Sequence, residues 1–89
     1  MRTSVQVSIV NRLGLHARPA MALVDLANGH KCDVTIVKSD QTVNGKSIME
    51  VMMLAATKGT SLEIICDGDD AQECCDKLKA LIERGFDEE

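Results

Sequence analysis

At 89 residues and 9.7 kDa the chain is one domain, 1–89, too short for a dinucleotide-binding enzyme, a kinase or a barrel. Its composition, 45% hydrophobic and 27% charged, is that of a folded globule rather than a disordered chain. Ten Lys+Arg against fourteen Asp+Glu leave a net charge of −4, and Phe86 is the only aromatic residue, so the basic groove and stacking platforms of a single-strand nucleic-acid binder are missing.

No run of about 20 apolar residues could span a membrane. The start, Met1-Arg2-Thr3-Ser4, lacks the apolar stretch of a signal peptide. The expected compartment is therefore the cytoplasm, with no membrane insertion. A domain this small buries only about 60 to 65% of its unfolded surface. It has little interior to spare for a deep pocket, so chemistry is expected on the surface, with help from a partner.

Val5, Val7 and Ile9 alternate with Gln6 and Ser8 and predict a strand with one buried face. The loop Asn11-Arg12-Leu13-Gly14 follows. Ala20, Leu23, Val24 and Ala27 recur at helical spacing, and Gly29 stands where a C′ residue belongs. Cys32, Val34 and Ile36 predict a second strand. A turn at Lys38–Gln41 leads into a short third strand around Thr42 and Val43, which Asn44-Gly45 ends.

Ser47-Ile48-Met49-Glu50 has the form of a capping box. Ile48, Val51, Met52 and Ala55 then predict a second helix ending near Gly59. Leu62, Ile64 and Cys66 predict a fourth strand, and Asp67-Gly68-Asp69 a turn. Asp70 with Glu73 reads as the cap of a third helix, whose stripe is Cys74, Cys75, Leu78, Leu81 and Ile82 and which Gly85 closes. The order βαββαβα, with one apolar face per element, packs most economically as an α+β two-layer sandwich, a four-stranded antiparallel sheet with the helices on one side.

Cys32, Cys66, Cys74 and Cys75 form no C-x-x-C pair, and the adjacent Cys74 and Cys75 point about 100° apart on a helix. They read as small buried hydrophobes, and no metal or cofactor is expected. A small metal-binding module has only the Cys and His content in its favour. His30 reads as a solvated loop residue near a helix C-terminus. With Cys32 it makes only two ligands, short of a metal site. The acids Asp67, Asp69, Asp70, Asp87, Glu88 and Glu89 read as solvated surface.

The stretch Leu13-Gly14-Leu15-His16-Ala17-Arg18-Pro19-Ala20 carries the most chemistry. His16 stands just before a helix with proline in its first turn, where the missing N–H costs nothing. The N–H groups of Ala17 and Arg18 have no intrahelical acceptor and lie at the positive end of the helix dipole, a place that suits anions. A phosphoryl group on His16 would stand before them, and Arg18 could add a charge-assisted contact. Arg12 adds longer-range attraction. Neutral imidazole is a nucleophile at cytoplasmic pH. The plain alternative is a histidine that caps the helix or is merely exposed. Gly45-Lys46-Ser47 is no P-loop, because Asp40 stands where its first glycine is needed.

The segment Asn11–Ala20 resembles the active-site signature of the HPr family, the histidine-containing phosphocarriers of the bacterial phosphoenolpyruvate-dependent phosphotransferase system. Val43-Asn44-Gly45-Lys46-Ser47-Ile48-Met49-Glu50-Val51-Met52 resembles the family's regulatory serine region, and the resemblance spans essentially the whole chain. It implies strand order 1-4-2-3 with three helices on one face. It also implies phosphorylation of His16 at Nδ1 by phospho-enzyme I, stabilisation by Arg18, and transfer to a histidine of an enzyme IIA component. Such a protein is a carrier rather than an independent enzyme, and a monomer.

Ser47 would correspond to the serine modified by HPr kinase/phosphorylase. It is also a helix N-cap worth about 1 kcal/mol. Glu50, where many members have glycine, would repel a phosphoserine. An apolar docking patch is implied at Ala17, Ala20, Ile48, Met49 and Met52, where polarizable methionines suit several partners in turn. A regulatory role through partner binding, including a nitrogen-related branch without sugar transport, is the alternative.

Overall fold

A computed structural model describes residues 1–88. The acid at Glu89 lies outside the described residues. The elements are β1 (Arg2–Ser8), α1 (Ala17–Asn28), β2 (Asp33–Lys38), β3 (Gln41–Asn44), α2 (Ile48–Met53), β4 (Ser61–Asp67) and α3 (Ala71–Glu83), with a 3-10 turn at Gly85–Asp87. The strands pair antiparallel in the order β1-β4-β2-β3, and three helices complete an open-faced two-layer sandwich, as expected.

The alternation explains the layers. Val7 and Leu62 pair across β1 and β4, Ile64 pairs with Val5 and Ile36, and Cys66 pairs with Val34. Val7, Leu62, Ile64, Cys66, Val34 and Ile36 are buried, while their neighbours Gln6 and Asp33 face water. The helical stripes Leu23, Val24 and Ala27 on α1 and Cys74, Leu78 and Ile82 on α3 close over them. Each fully buried Leu or Ile contributes about 1.5–3 kcal/mol relative to exposure.

Four local expectations change. Gly29 caps α1 with φ −75°, an ordinary right-handed conformation, so it is not a left-handed C′ glycine. Helix α2 stops at Met53 rather than near Gly59, because Ala55 adopts φ 48°, a left-handed conformation that ends a right-handed helix. The capping box is half formed. Ser47 Oγ accepts from the Glu50 N–H at 3.3 Å, but the Glu50 carboxylate accepts from the Asn44 N–H at 3.0 Å.

The fourth change concerns Asp70, which precedes α3 without capping it through its side chain. Its carboxylate instead accepts from the Lys31 N–H at 2.8 Å and the Cys32 N–H at 2.9 Å, tying α3 to the approach to β2. These bonds, that of Lys31 foremost, hold its carboxyl below the ordinary value. A lowered folded value stabilises the fold above the ordinary carboxylate range, and the effect drains away as pH falls through the lowered value. Asp70→Asn, with one acceptor oxygen for two N–H groups, should lower the thermal midpoint at pH 7. The gap to wild type should narrow in acid, which calorimetry across pH would show.

Candidate functional site

The loop after β1 is built from its backbone outward. Ile9 continues the pairing past the strand, its N–H on Thr60 O at 2.9 Å and its carbonyl accepting from Gly59 at 2.7 Å. Gly14 takes φ 69° and packs so closely that a Cβ would lie 2.4 Å from Ala56 O. Leu15 is buried, and its N–H donates to Ala56 O at 2.8 Å. Pro19 and Ala20 are buried on the far side. His16 is thus held between two anchored segments, as the N-cap of α1.

Its backbone does the capping work. His16 O accepts the Ala20 N–H at 3.0 Å, while the ring makes no cap hydrogen bond. The ring is about one-third exposed, and its Nε2 lies 2.9 Å from Glu88 Oε2 and 3.1 Å from Oε1. An ionised carboxylate only accepts, so Nε2 carries the proton and the neutral ring has its lone pair on Nδ1. Nδ1 has no hydrogen-bond partner among the described residues.

The carboxylate is itself positioned. Asn11, buried, donates from Nδ2 to Glu88 Oε1 at 2.9 Å and to Gly14 O at 2.7 Å. Glu88 is held below the usual carboxylate range, chiefly by the His16 hydrogen bond, with Asn11 and the charge of Arg18 adding to it. Asn11 Oδ1 is buried without a partner among the described residues. Sequence reasoning placed Glu88 among solvated acids, and this contact corrects it. Separated by 72 positions, the pair leaves no local signal.

Arg18 is exposed and has no salt bridge or side-chain hydrogen bond among the described residues. Ala17 is exposed beside it, and no acid stands in the first turn of α1 to oppose an anion there. Of the other docking candidates, Met49 is 76% exposed and Met52 43%, while Ile48 is half-buried against the core. Ala20 is fully buried and leaves the set, because the position that spaces it with Leu23, Val24 and Ala27 points it inward. Leu13, Met21 and Met53 are exposed apolar side chains that the sequence reading did not single out.

Ser47 is half-buried at the start of α2, its Oγ engaged with Glu50 N–H. His30 is not solvated as expected. Its side chain is 7% exposed, with Nδ1 on Leu26 O at 3.0 Å and Nε2 3.4 Å from Glu73. The four cysteines are buried, as expected, but the fold also brings Cys32, Cys66 and Cys74 together, with sulfurs within 4.8 Å of one another. No helix among the described residues is long and apolar enough to cross a membrane.

Comparison with known proteins agrees with this geometry. The family model described as the PTS HPr component phosphorylation site matches residues 3–84. The phosphocarrier protein HPr of Pseudomonas aeruginosa is 43% identical over 86 residues, 96% of each chain. The phosphocarrier protein NPr of Proteus mirabilis is 40% identical over 85 residues, 94% of each. The crystal structure of HPr-C-His from Thermoanaerobacter tengcongensis superposes with a TM-score of 0.94 at 38% identity, covering 98% of both chains. A histidine set at the start of α1, in a sheet of this order and within a full-length match, places the chain in the HPr family of phosphocarriers of the phosphotransferase system.

Proposed function

We propose that this protein accepts a phosphoryl group on His16 Nδ1 from phospho-enzyme I and passes it to a histidine of an enzyme IIA component, as a monomer in the cytoplasm. One observation carries the reading. Glu88 occupies Nε2, which leaves Nδ1 with its lone pair at the N-terminus of α1. That lone pair attacks phosphorus as the N–P bond of the donor phosphohistidine breaks, and the donor nitrogen keeps the bonding pair. The Ala17 and Arg18 N–H groups and the Arg18 guanidinium face negative charge as it arrives. Because the carboxylate fixes the ring and its tautomer, little reorganisation is needed in either direction.

The test incubates the protein with enzyme I and phosphoenolpyruvate and reads the product by mass spectrometry. One acid-labile phosphoryl group on the peptide containing His16 supports the reading, and an unmodified peptide refutes it. Arg18→Ala should slow transfer about 10- to 100-fold, the equivalent of one charge-assisted hydrogen bond, with no change in thermal midpoint. Stopped-flow transfer kinetics check it, and an unchanged rate removes Arg18 from the mechanism.

Ser47 is the second modification site in this reading, by HPr kinase/phosphorylase. A phosphoserine there would add about −1.5 to −2 charge beside the exposed methionines of α2 and weaken docking. The Glu50 carboxylate works against it, but in the structure it is held on Asn44 N–H rather than turned back on Ser47. Treatment with the kinase and ATP, then phosphopeptide mapping, checks this, and an unmodified Ser47 leaves only the capping role. The alternative is a regulatory branch without sugar transport, and a relative named phosphocarrier protein NPr is compatible with it. Sugar uptake unaffected by deletion of the gene would favour that branch.

A further inference from the structure

We propose that Cys32, Cys66 and Cys74 form a three-thiol site for a trivalent metalloid, with arsenic(III) as the representative ion. The three sulfurs lie within 4.8 Å of one another, brought together from three elements: the approach to β2, the end of β4 and the first turn of α3. No pair of them is closer than eight positions in sequence, so the trio is a product of the fold.

Charge selects the ligand. The trio sits in the apolar core with Cys32 1% exposed and the other two fully buried. All three are free cysteines enclosed by the apolar side chains of the core. The Asp70 carboxylate, which accepts from the Cys32 N–H at 2.9 Å, repels further negative charge there. Three thiolates on a monovalent or divalent ion would leave net negative charge in this interior, at a high cost. Three thiolates on a trivalent centre leave none, and sulfur is the donor that soft centres prefer.

The reaction balances without an oxidant. Arsenous acid carries three As–OH groups. Each As–O bond breaks as an As–S bond forms, and each thiol proton leaves with a hydroxide as water, three waters in all. Access runs through the turn that covers Cys32. A Cβ on Gly68 would lie 2.7 Å from Cys32 Cα, and Asp70 clasps the Lys31 and Cys32 N–H groups. Loading therefore requires this end of the sheet to open locally, and the adduct then stabilises the closed form.

The full chain, reduced with a phosphine, is incubated with arsenite and analysed by native mass spectrometry. The expected product gains one arsenic and loses three hydrogens, with a raised thermal midpoint. Cys66→Ala and Cys32→Ser should each lose this adduct, whereas Cys75→Ala should keep it. No adduct, or one retaining a hydroxyl on arsenic, overturns the proposal. So does a three-bonded adduct that survives in Cys66→Ala or vanishes in a folded Cys75→Ala. Arsenic X-ray absorption on the wild-type adduct decides the matter even if a variant fails to fold. Three sulfur neighbours support the site, and an oxygen neighbour refutes it.

Discussion

His16→Gln should bring phosphoryl uptake from phospho-enzyme I down to background while leaving the domain folded. The loss is total because no other group can substitute. The second histidine, His30, has its side chain 7% exposed, with one nitrogen on the Leu26 carbonyl and the other beside Glu73. The fold survives because, among the described residues, the only hydrogen bond or ion pair of the His16 ring is to Glu88, and helix α1 is capped by the His16 backbone. Glutamine can still donate to Glu88, so the stability change should stay within about 1 kcal/mol. Radiolabelled phosphoenolpyruvate measures uptake, and urea unfolding measures stability. Residual acid-labile phosphate on the variant would show that the acceptor lies elsewhere.

Gly14→Ala should destabilise the domain by about 2–5 kcal/mol, the sum of a left-handed residue and an overpacked contact. Its φ is 69°, and the new Cβ would lie 2.4 Å from Ala56 O and 2.9 Å from Thr57 Cα. Both are main-chain atoms in the segment that accepts the Leu15 N–H, so relief of the clash pulls the loop off its anchor. Phosphoryl uptake per folded molecule should fall too, because the same movement displaces His16. Gly59→Ala is the internal control. Its φ is 89°, but nothing lies within 4 Å of the new atom, so it should cost only the backbone share, about 1–2 kcal/mol. Equal losses at both positions in urea titrations would show that the close contact at Gly14 is unimportant.

Much of this architecture is written locally. Val5 and Val7, Val34 and Ile36, and Leu62 and Ile64 announce strands because alternate residues share a face, and the stripes of α1 and α3 follow from helical spacing. His16, Arg18 and Pro19 are legible for the same reason, since a helix start is a local event. What escaped was decided by distant backbone. Asp70 has the sequence of a cap, yet two N–H groups about 40 positions earlier claim its oxygens. Helix α2 has the periodicity to continue, yet the Ala56 carbonyl is needed by Leu15. Ala20 fits both a core stripe and a docking patch, and only the packing of α1 separates the two. The Asn11–Glu88–His16 chain closes across nearly the full sequence, so it carries no periodic signature.

That closure has a practical consequence for anyone handling the protein. The carboxylate that steadies the imidazole is carried by Glu88, so an affinity tag fused on that side of the molecule lies close to the reactive ring. Its charge and bulk would compete with incoming proteins for the same approach. Recombinant material for kinetic work is better tagged at Met1, at the opposite end of β1 from the loop that carries His16.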